Sequence, residues 1–501
     1  MLSALIWIPF IAAVLIGFGP RSLDSRQYRS ISTIVSSILL VLTIAIAVQF
    51  DPSQPGMQFT EFVPWVDWLG LNYQLGLDGL SLPLLFLNSL LTVIAIASSS
   101  PTLDRPRFYY ALILLLNVGV TGAFLAQDLL LFFLFYELEI IPLYFLIAIW
   151  GGQRRGYAAT KFLIYTAVSG ILILIAFLGV VWVAGTESFD YEQLRSAAIP
   201  LKTQLPLLIV LLIGFGIKVP FFPFHTWLPD AHVEASTPVS MLLAGVLLKL
   251  GTYGLLRFGI GLFLEAWAYL APWLAIWAAV SALYGASCAI AQQDMKKVVA
   301  YSSIAHMAFV LLAAAATTRL SLLAAVCQMV SHGLISALLF FLVGIVYKKA
   351  KTRDVNQLRG LLNPERGLPW IGSLMILGAM ASAGIPGMVG FIAEFLIFRS
   401  SFPLFPIPTL LCMVGTGLTA VYFLLMINKV FFCRLSDAVT DLPPVRWGDR
   451  IPAIVLSLFI IVLGIVPNWM SRWSEPQIAS LVTDYGRPHV SVNERVSMTR
   501  D

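Results

Sequence analysis

An all-α polytopic membrane protein of about fourteen transmembrane helices is the fold class this sequence predicts, and three observations predict it. Of its 501 residues, 59% are hydrophobic and only 11% are charged, where a soluble domain carries about 25% charge. Apolar runs of about 20 residues recur along the chain, each long enough to cross ~30 Å of hydrocarbon. The hydrophilic intervals are short, and none could bury a core of its own. The longest are 51–77, 185–205, 347–369, 434–450 and the tail after Pro467.

Taken in order, the first run, MLSALIWIPFIAAVLIGFGP, is followed rather than preceded by arginines. It therefore reads as a retained helix, not a secretory signal. Spans are expected at 2–19, 31–50, 78–99, 108–126, 128–150, 161–184, 206–223, 237–258, 270–291, 298–316, 320–346, 370–398, 407–433 and 451–468. The loops between them alternate in charge. One phase collects Arg21, Arg26, Arg29, Arg105, Arg107, Arg154, Arg155, Lys161, Lys296, Lys297, the YKKAKTRDVNQLRG cluster, Arg434, Arg446 and Arg450. The other holds 51–77, which lacks Lys and Arg, and the mostly acidic GTESFDYEQLRSAAIP. The positive-inside rule then places both termini on the lumenal or periplasmic side.

Two spans are broken. Pro220 and Pro223 follow Lys218 at once and remove two backbone donors, freeing the carbonyls of Gly216 and Val219. Unpaired backbone at membrane depth is tolerated only beside protein or a water-filled cavity. Gly384, Pro386, Gly387 and Gly390 interrupt the twelfth span just before Glu394. The breaks lie about 165 residues apart, and spans four and nine begin about 162 apart, so spans 4–8 and 9–13 read as two inverted five-helix repeats with an ion path at their interface. The chain then divides into a three-helix segment (1–107), a first repeat (108–258), a second repeat (270–433), and a last helix with its tail (434–501).

Several function classes fall away. The four cysteines are scattered through apolar segments without a CxxC pair and read as packing residues. No dinucleotide, P-loop, zincin or nucleophile-elbow motif is present. Neither a bound cofactor nor redox chemistry is expected of this chain. A net charge of +5 spread over loops does not imply nucleic acid.

What remains is a small set of ionisable groups inside the spans: Glu137, Glu139, Lys218, Lys249, Arg257, Glu394 and Lys429, with His306 and His332. Arg257 and Lys429 lie near span ends and are expected to snorkel. A lipid-facing charge at mid-bilayer costs ~2.5–3.5 kcal/mol. Four of them (Glu137, Lys218, Lys249, Glu394) would cost on the order of 10–14 kcal/mol, which rivals the ~5–15 kcal/mol stability of a typical fold. They must face one another or water inside the bundle. Their neighbours fit that reading. Gln328, His332 and Ser336 form one polar stripe, Ser302 and Ser303 precede His306 by a turn, and Gly245, Thr252 and Tyr253 flank Lys249. Lys, Glu and His are a reasonable set for passing protons, because each is moved readily across the working pH. Glu137 and Glu139 are about 200° apart on a helix, so both cannot face the same channel. Pro142 leaves the Leu138 carbonyl without its helical partner; Glu137 is favoured for the channel, with Glu139 left to another helix or subunit.

The stretches GLDGLSLPLL (76–85), LFFLFYELEIIPLYFLIAIWGG (131–152), KVPFFPFHTWLPDAHVEASTPVS (218–240), LLKLGTYGLLRF (247–258), QQDMKKVVAYSSIAHMAF (292–309) and SHGLISALLFFLVG (331–344) resemble the antiporter-like membrane subunits of complex I, chain 4 in particular. The similarity covers roughly residues 70–430. It implies a proton-translocating membrane-arm subunit of an NAD(P)H- or ferredoxin-fed quinone oxidoreductase. Carried over, the family's proton-path residues fall on Glu137, Lys218, Lys249, His306, His332 and Glu394. The resemblance places FMN, iron–sulfur centres or ferredoxin, and quinone with other subunits. It gives neighbouring antiporter-like chains and lipid as partners. The second acid of YELEIIP looks like the plastid and cyanobacterial branch, which implies plastoquinone and a thylakoid membrane. A subunit of a multisubunit Na+/H+ antiporter, which shares the fold, is the alternative.

Overall fold

The computed structural model describes residues 1–19, 23–54, 56–434 and 442–485. Arg21 and residues 486–501 of the tail lie outside the described residues. Helices α1 (Leu2–Phe18), α2 (Ser25–Gln49) and α3 (Leu82–Ala97) lead into α4 (Pro106–Leu125), the kinked pair α5 (Leu129–Leu138) and α6 (Ile140–Trp150), and α7 (Arg155–Ala184). A short α8 (Tyr191–Arg195) precedes α9 (Leu201–Lys218), α10 (Trp227–Glu234), α11 (Thr237–Leu242) and α12 (Leu248–Gly254). The long rods α13 (Leu264–Ile290), α14 (Met295–Ala316) and α15 (Arg319–Ala350) follow. Then come α16 (Pro369–Ser382), α17 (Val389–Ser401), α18 (Pro406–Val430), α19 (Trp447–Ile465) and α20 (Asn468–Tyr485).

Eleven helices among the described residues are long and apolar enough to cross a membrane, counting Leu129–Trp150 and Thr237–Ile260 each as one. Leu2–Phe18, Leu82–Ala97 and Pro369–Ser382 are shorter apolar helices. All three fall on stretches the sequence assigned to spans. Helix starts follow local chemistry. Asp24 and Thr318 close capping boxes with Gln27 and Ser321, and prolines open α4, α16 and α18 where a missing donor costs nothing. The apolar windows of α15 and Thr237–Ile260 are wholly buried, whereas that of α2 is 28% buried. The first two are therefore the axis of the bundle and α2 belongs to its rim.

Two intervals are more ordered than the sequence suggested. The 51–77 loop folds into an antiparallel hairpin, β1 (Gln58–Val66) and β2 (Leu71–Leu77), paired from Gln58↔Leu77 to Val66↔Leu71 with register shifts between Gln58 and Glu61 and between Pro64 and Val66. Alternation in QFTEFVPWV carries that signal, but the sharper helix periodicity around it masks it. At its tip Gly70 has φ +67°, and a Cβ there would meet the Glu187 carbonyl oxygen, so the hairpin packs closely on the 185–190 loop. Beyond Pro467 the chain forms α20, which crosses the same end of the bundle. There the Ser474 hydroxyl donates to the Gly79 carbonyl at 2.6 Å.

Both breaks form. The first separates α9 from α10 over 219–226 and contains a cis Phe222–Pro223 bond; the second separates α16 from α17 over 383–388, where Gly384 and Gly387 have positive φ. A third interruption, at Glu139, comes from Pro142, which cannot donate to Leu138.

Candidate functional site

The buried ionisable groups sort into two clusters. The first surrounds Lys218 at the end of α9. Its Nζ makes a salt bridge with Glu139, and both side chains are fully buried. Glu137, the acid the sequence reading favoured, does not hold the lysine. It lies within electrostatic reach of Lys218, yet its Oε1 has no hydrogen-bond partner and sits where a Cβ on Gly170 would be. The reason is the turn at Glu139. An unbroken helix would hold the two acids 200° apart; the interruption resets that phase and swings Glu139 toward α9. The Tyr136 ring lies 4.8 Å from Lys218 Nζ, a cation–π contact.

The freed backbone near Lys218 is also less open than expected. The Gly216 carbonyl accepts from Phe221 N–H at 2.9 Å, and the Ile217 carbonyl accepts from the Trp227 indole at 2.8 Å. Aromatic side chains and turn hydrogen bonds close this break.

The second cluster runs across the bundle axis. Lys249 follows a π-helical turn, Leu243–Leu247, a distortion frequent at functional sites. Its Nζ donates to the Ala244 carbonyl and to His332 Nδ1, both at 2.7 Å. When Lys249 is an ammonium it has no lone pair, so His332 Nδ1 then accepts and the ring proton sits on Nε2. That Nε2 has no protein partner. The His332 and His306 ring centroids are 5.9 Å apart. His306 faces carbonyl oxygens with both nitrogens, Nδ1 to Ser302 at 2.7 Å and Nε2 to Ser382 at 3.0 Å. Carbonyls only accept, so this pattern suits the doubly protonated ring. Glu394 supplies the counter-charge, its Oε1 3.3 Å from His306 Nε2, and its Oε2 accepts from the Thr416 hydroxyl at 3.0 Å. The Ser382 carbonyl closes α16 at the second break. Here the broken helix serves the site directly.

The structure thus brings Lys249, His332, His306 and Glu394 into one line, all at most 5% exposed, and leaves Lys218 with its acids apart. No hydrogen bond joins Lys218 to Lys249 among the described residues. Gln328 and Ser336 are buried with His332 as the stripe required. Lys429 is exposed near the end of α18, as expected. Arg257 is not at the surface. It is 2% exposed, with Nη2 2.5 Å from Asp78 Oδ2 and its guanidinium between the rings of Tyr191 and Tyr253. Its partner lies 179 positions away, a separation no local pattern reveals. Sequence reasoning also passed over Lys296 and His232, both buried. Among the described residues no group of three or more His, Cys, Asp or Glu side chains could hold a metal ion.

A helical membrane bundle with a buried line of lysine, histidine and glutamate, and broken helices at two points, defines an antiporter-like ion-translocating subunit. Residues 126–419 match the family described as NADH:quinone oxidoreductase/Mrp antiporter, TM, and the chain belongs to that family. It is 43% identical to NAD(P)H-quinone oxidoreductase chain 4 1 of Synechococcus sp. (strain JA-3-3Ab), over 93% of this chain and 89% of the relative. It is 41% identical to the protein called NAD(P)H-quinone oxidoreductase chain 4 1 in Nostoc sp. (strain PCC 7120 / SAG 25.82 / UTEX 2576), over 94% and 89%. Among solved structures, a chain of respiratory complex I from Thermus thermophilus superposes with a TM-score of 0.88 at 25% identity, covering 97% of this chain and 100% of that one. A chain of the Mrp complex from Dietzia sp. DQ12-45-1b shares the fold, with a TM-score of 0.87 at 22% identity over 96% and 97%.

Proposed function

We propose that this chain carries protons through the membrane arm of a complex I that passes electrons from NAD(P)H or ferredoxin to plastoquinone or another quinone. The observation that carries the reading is the continuous line Lys249–His332–His306–Glu394, with each member within hydrogen-bond or ring-contact distance of the next. Flavin, iron–sulfur and quinone chemistry is assigned to other subunits, and neighbouring antiporter-like chains and lipid are the partners. The membrane is a cyanobacterial or plastid thylakoid, with both termini on the lumenal side. The division at 108–258 and 270–433 into inverted repeats belongs to the same reading, and the two breaks support it.

The line works as a relay. Lys249 gives a proton to His332 Nδ1, and His332 releases the one on Nε2. The 5.9 Å to His306 is covered by one bridging water or a turn of the ring. His306 then discharges to Glu394. Lys218 and its two acids regulate the step. With Glu139 bonded, positive charge is held at the first break; if Lys218 passes to Glu137, the local field at the axis changes. Glu137 and Lys218 are therefore kept as proton-path residues, with Glu139 added.

The test is Lys249→Met in the whole complex, reconstituted into vesicles, with quinone reduction and internal acidification followed together. Assembly and quinone reduction are expected to persist while protons moved per electron fall by at least one subunit's share. An unchanged ratio sinks the reading. The Mrp-like fold keeps a free-standing sodium/proton antiporter as the second reading; a purified assembly lacking iron–sulfur absorbance favours it.

A further inference from the structure

Three helix ends of the basic phase meet at one corner of the bundle: the close of α15 and the starts of α16 and α19. Arg450, in the first turn of α19, is partly buried there against two indoles. Its guanidinium carbon lies 5.1 Å from the Trp447 ring centre and 5.5 Å from that of Trp370, and both rings are exposed. A ring face attracts the cation without accepting its N–H donors. Those donors are unspent. Nε is buried without a hydrogen-bond partner, and no hydrogen bond or ion pair joins Arg450 to any described residue. Beside it Lys349 is within electrostatic reach of Lys348 and Arg446. The acid in reach of Lys349 is Asp449, which already lies 3.3 Å from Lys348 Nζ. Positive charge is therefore in excess at this corner. Beyond Arg450 the outer face of α19 is one apolar stripe, Ile451, Ile454, Leu458, Val462 and Ile465, 39–67% exposed. The small residues of that helix, Ala453, Ser457 and Gly464, are turned inward and buried. Membrane helices pack on one another through small residues, so this bulky outer face suits acyl chains better than another helix.

We propose that this corner binds one anionic glycerolipid, with its phosphate or sulfonate headgroup on Arg450 beside Trp370 and Trp447 and its acyl chains along the α19 stripe. A guanidinium matches two oxygens of such a group at once. Tryptophan belongs at headgroup depth, and clustered Lys and Arg beside a span draw anionic lipid in preference to zwitterionic lipid. The inference rests on lipid as a partner and not on the relay, so its failure leaves the relay standing.

Photolabelling of the whole complex tests it. The complex is placed in phosphatidylcholine nanodiscs that contain a little phosphatidylglycerol with a photoreactive acyl chain, and labelled peptides are mapped. A phosphatidylcholine probe of the same design is the control. Labelling of 451–465 is expected to be roughly fivefold stronger from the anionic probe, the bias that one basic residue near the surface gives. It is expected to be displaced by unlabelled phosphatidylglycerol and untouched by inorganic phosphate. Arg450→Gln is expected to lower labelling to the control level. Arg450→Lys, which keeps the charge but not the planar fork, is expected to give an intermediate level. Where Arg450→Gln fails to assemble, Trp447→Leu at an exposed ring decides, with labelling expected to fall by about half or more. Equal labelling by both probes overturns the site, as does anionic labelling that neither Arg450→Gln nor Trp447→Leu lowers. Displacement by inorganic phosphate marks a free-anion site, and label on another subunit in place of 451–465 marks a protein contact; either result overturns the lipid.

Discussion

The two broken helices are built alike and used differently. In the first, the chain past Lys218 folds back on itself. A turn hydrogen bond and the Trp227 indole take up the Gly216 and Ile217 carbonyls, and the lysine is clasped by Glu139. In the second, turn hydrogen bonds take up the Ala379, Met380 and Ala381 carbonyls, and the Ser382 carbonyl together with Glu394 holds His306. One break ends in a closed two-member pair, the other in an open four-member line. A proline or glycine break is therefore not a site in itself. What fills the gap decides whether it stores charge or moves it.

The largest effect expected from breaking this contrast is at the closed pair. Glu139→Gln leaves a buried ammonium without its counter-ion, a loss of about 3–5 kcal/mol, visible as a lowered thermal midpoint of the purified complex. Glu137→Gln, whose Oε1 bonds nothing, should cost less than about 1 kcal/mol. Equal losses would show that Lys218 is shared rather than held by one acid. Combining Glu139→Gln with Lys218→Met should recover most of the stability, as removing both charges usually does.

An intermediate effect lies outside the spans, beneath the first half of the molecule. Asp128 caps α5 through Leu130 and Leu131 N–H, each at 2.9 Å. Burial, with Asp190 opposite, raises its carboxyl to about 6 in spite of those bonds. The folded value exceeds the unfolded one of about 3.9, so the contribution is fully present below pH ~4 and is lost as pH rises through about 6. Unfolding midpoints measured from pH 5 to 7 should fall less steeply in Asp128→Asn than in the parent; parallel curves would refute the assignment. The smallest effect sharpens the open line. Thr416→Val removes one donor to Glu394 and should cost about 1 kcal/mol. It should slow pumping only a few-fold, which a steady-state vesicle assay resolves; no change would mean that Thr416 does not tune Glu394.

Much of this arrangement was legible in the residues. Apolar runs located the helices, and prolines and glycines located both breaks. The cost of lone charges in lipid grouped Glu137, Lys218, Lys249 and Glu394, and shared depth added His306 and His332; the structure keeps four of the six in one line and sets Lys218 and Glu137 apart. The partner of Lys218 was not legible: Pro142 marks a lost backbone bond at Leu138, but nothing in the residues says that the resulting turn aims Glu139, rather than Glu137, at α9. Arg257 was misplaced because depth along a span says nothing of a carboxylate delivered by Asp78 from a remote turn. Lys296 and His232 were counted with the loops and the helix break; only the fold shows that both are buried.

The seating of α20 on Gly79 bears on how the molecule is made. The Asp78–Arg257 pair joins a turn translated early to a helix translated near the middle, and the segment that covers the neighbouring Gly79 emerges from the ribosome hundreds of residues later. Until then the Gly79 turn lacks that cover, so a prematurely terminated chain would expose it to solvent and to proteases, and quality control would have a corner by which to tell finished polypeptides from interrupted ones.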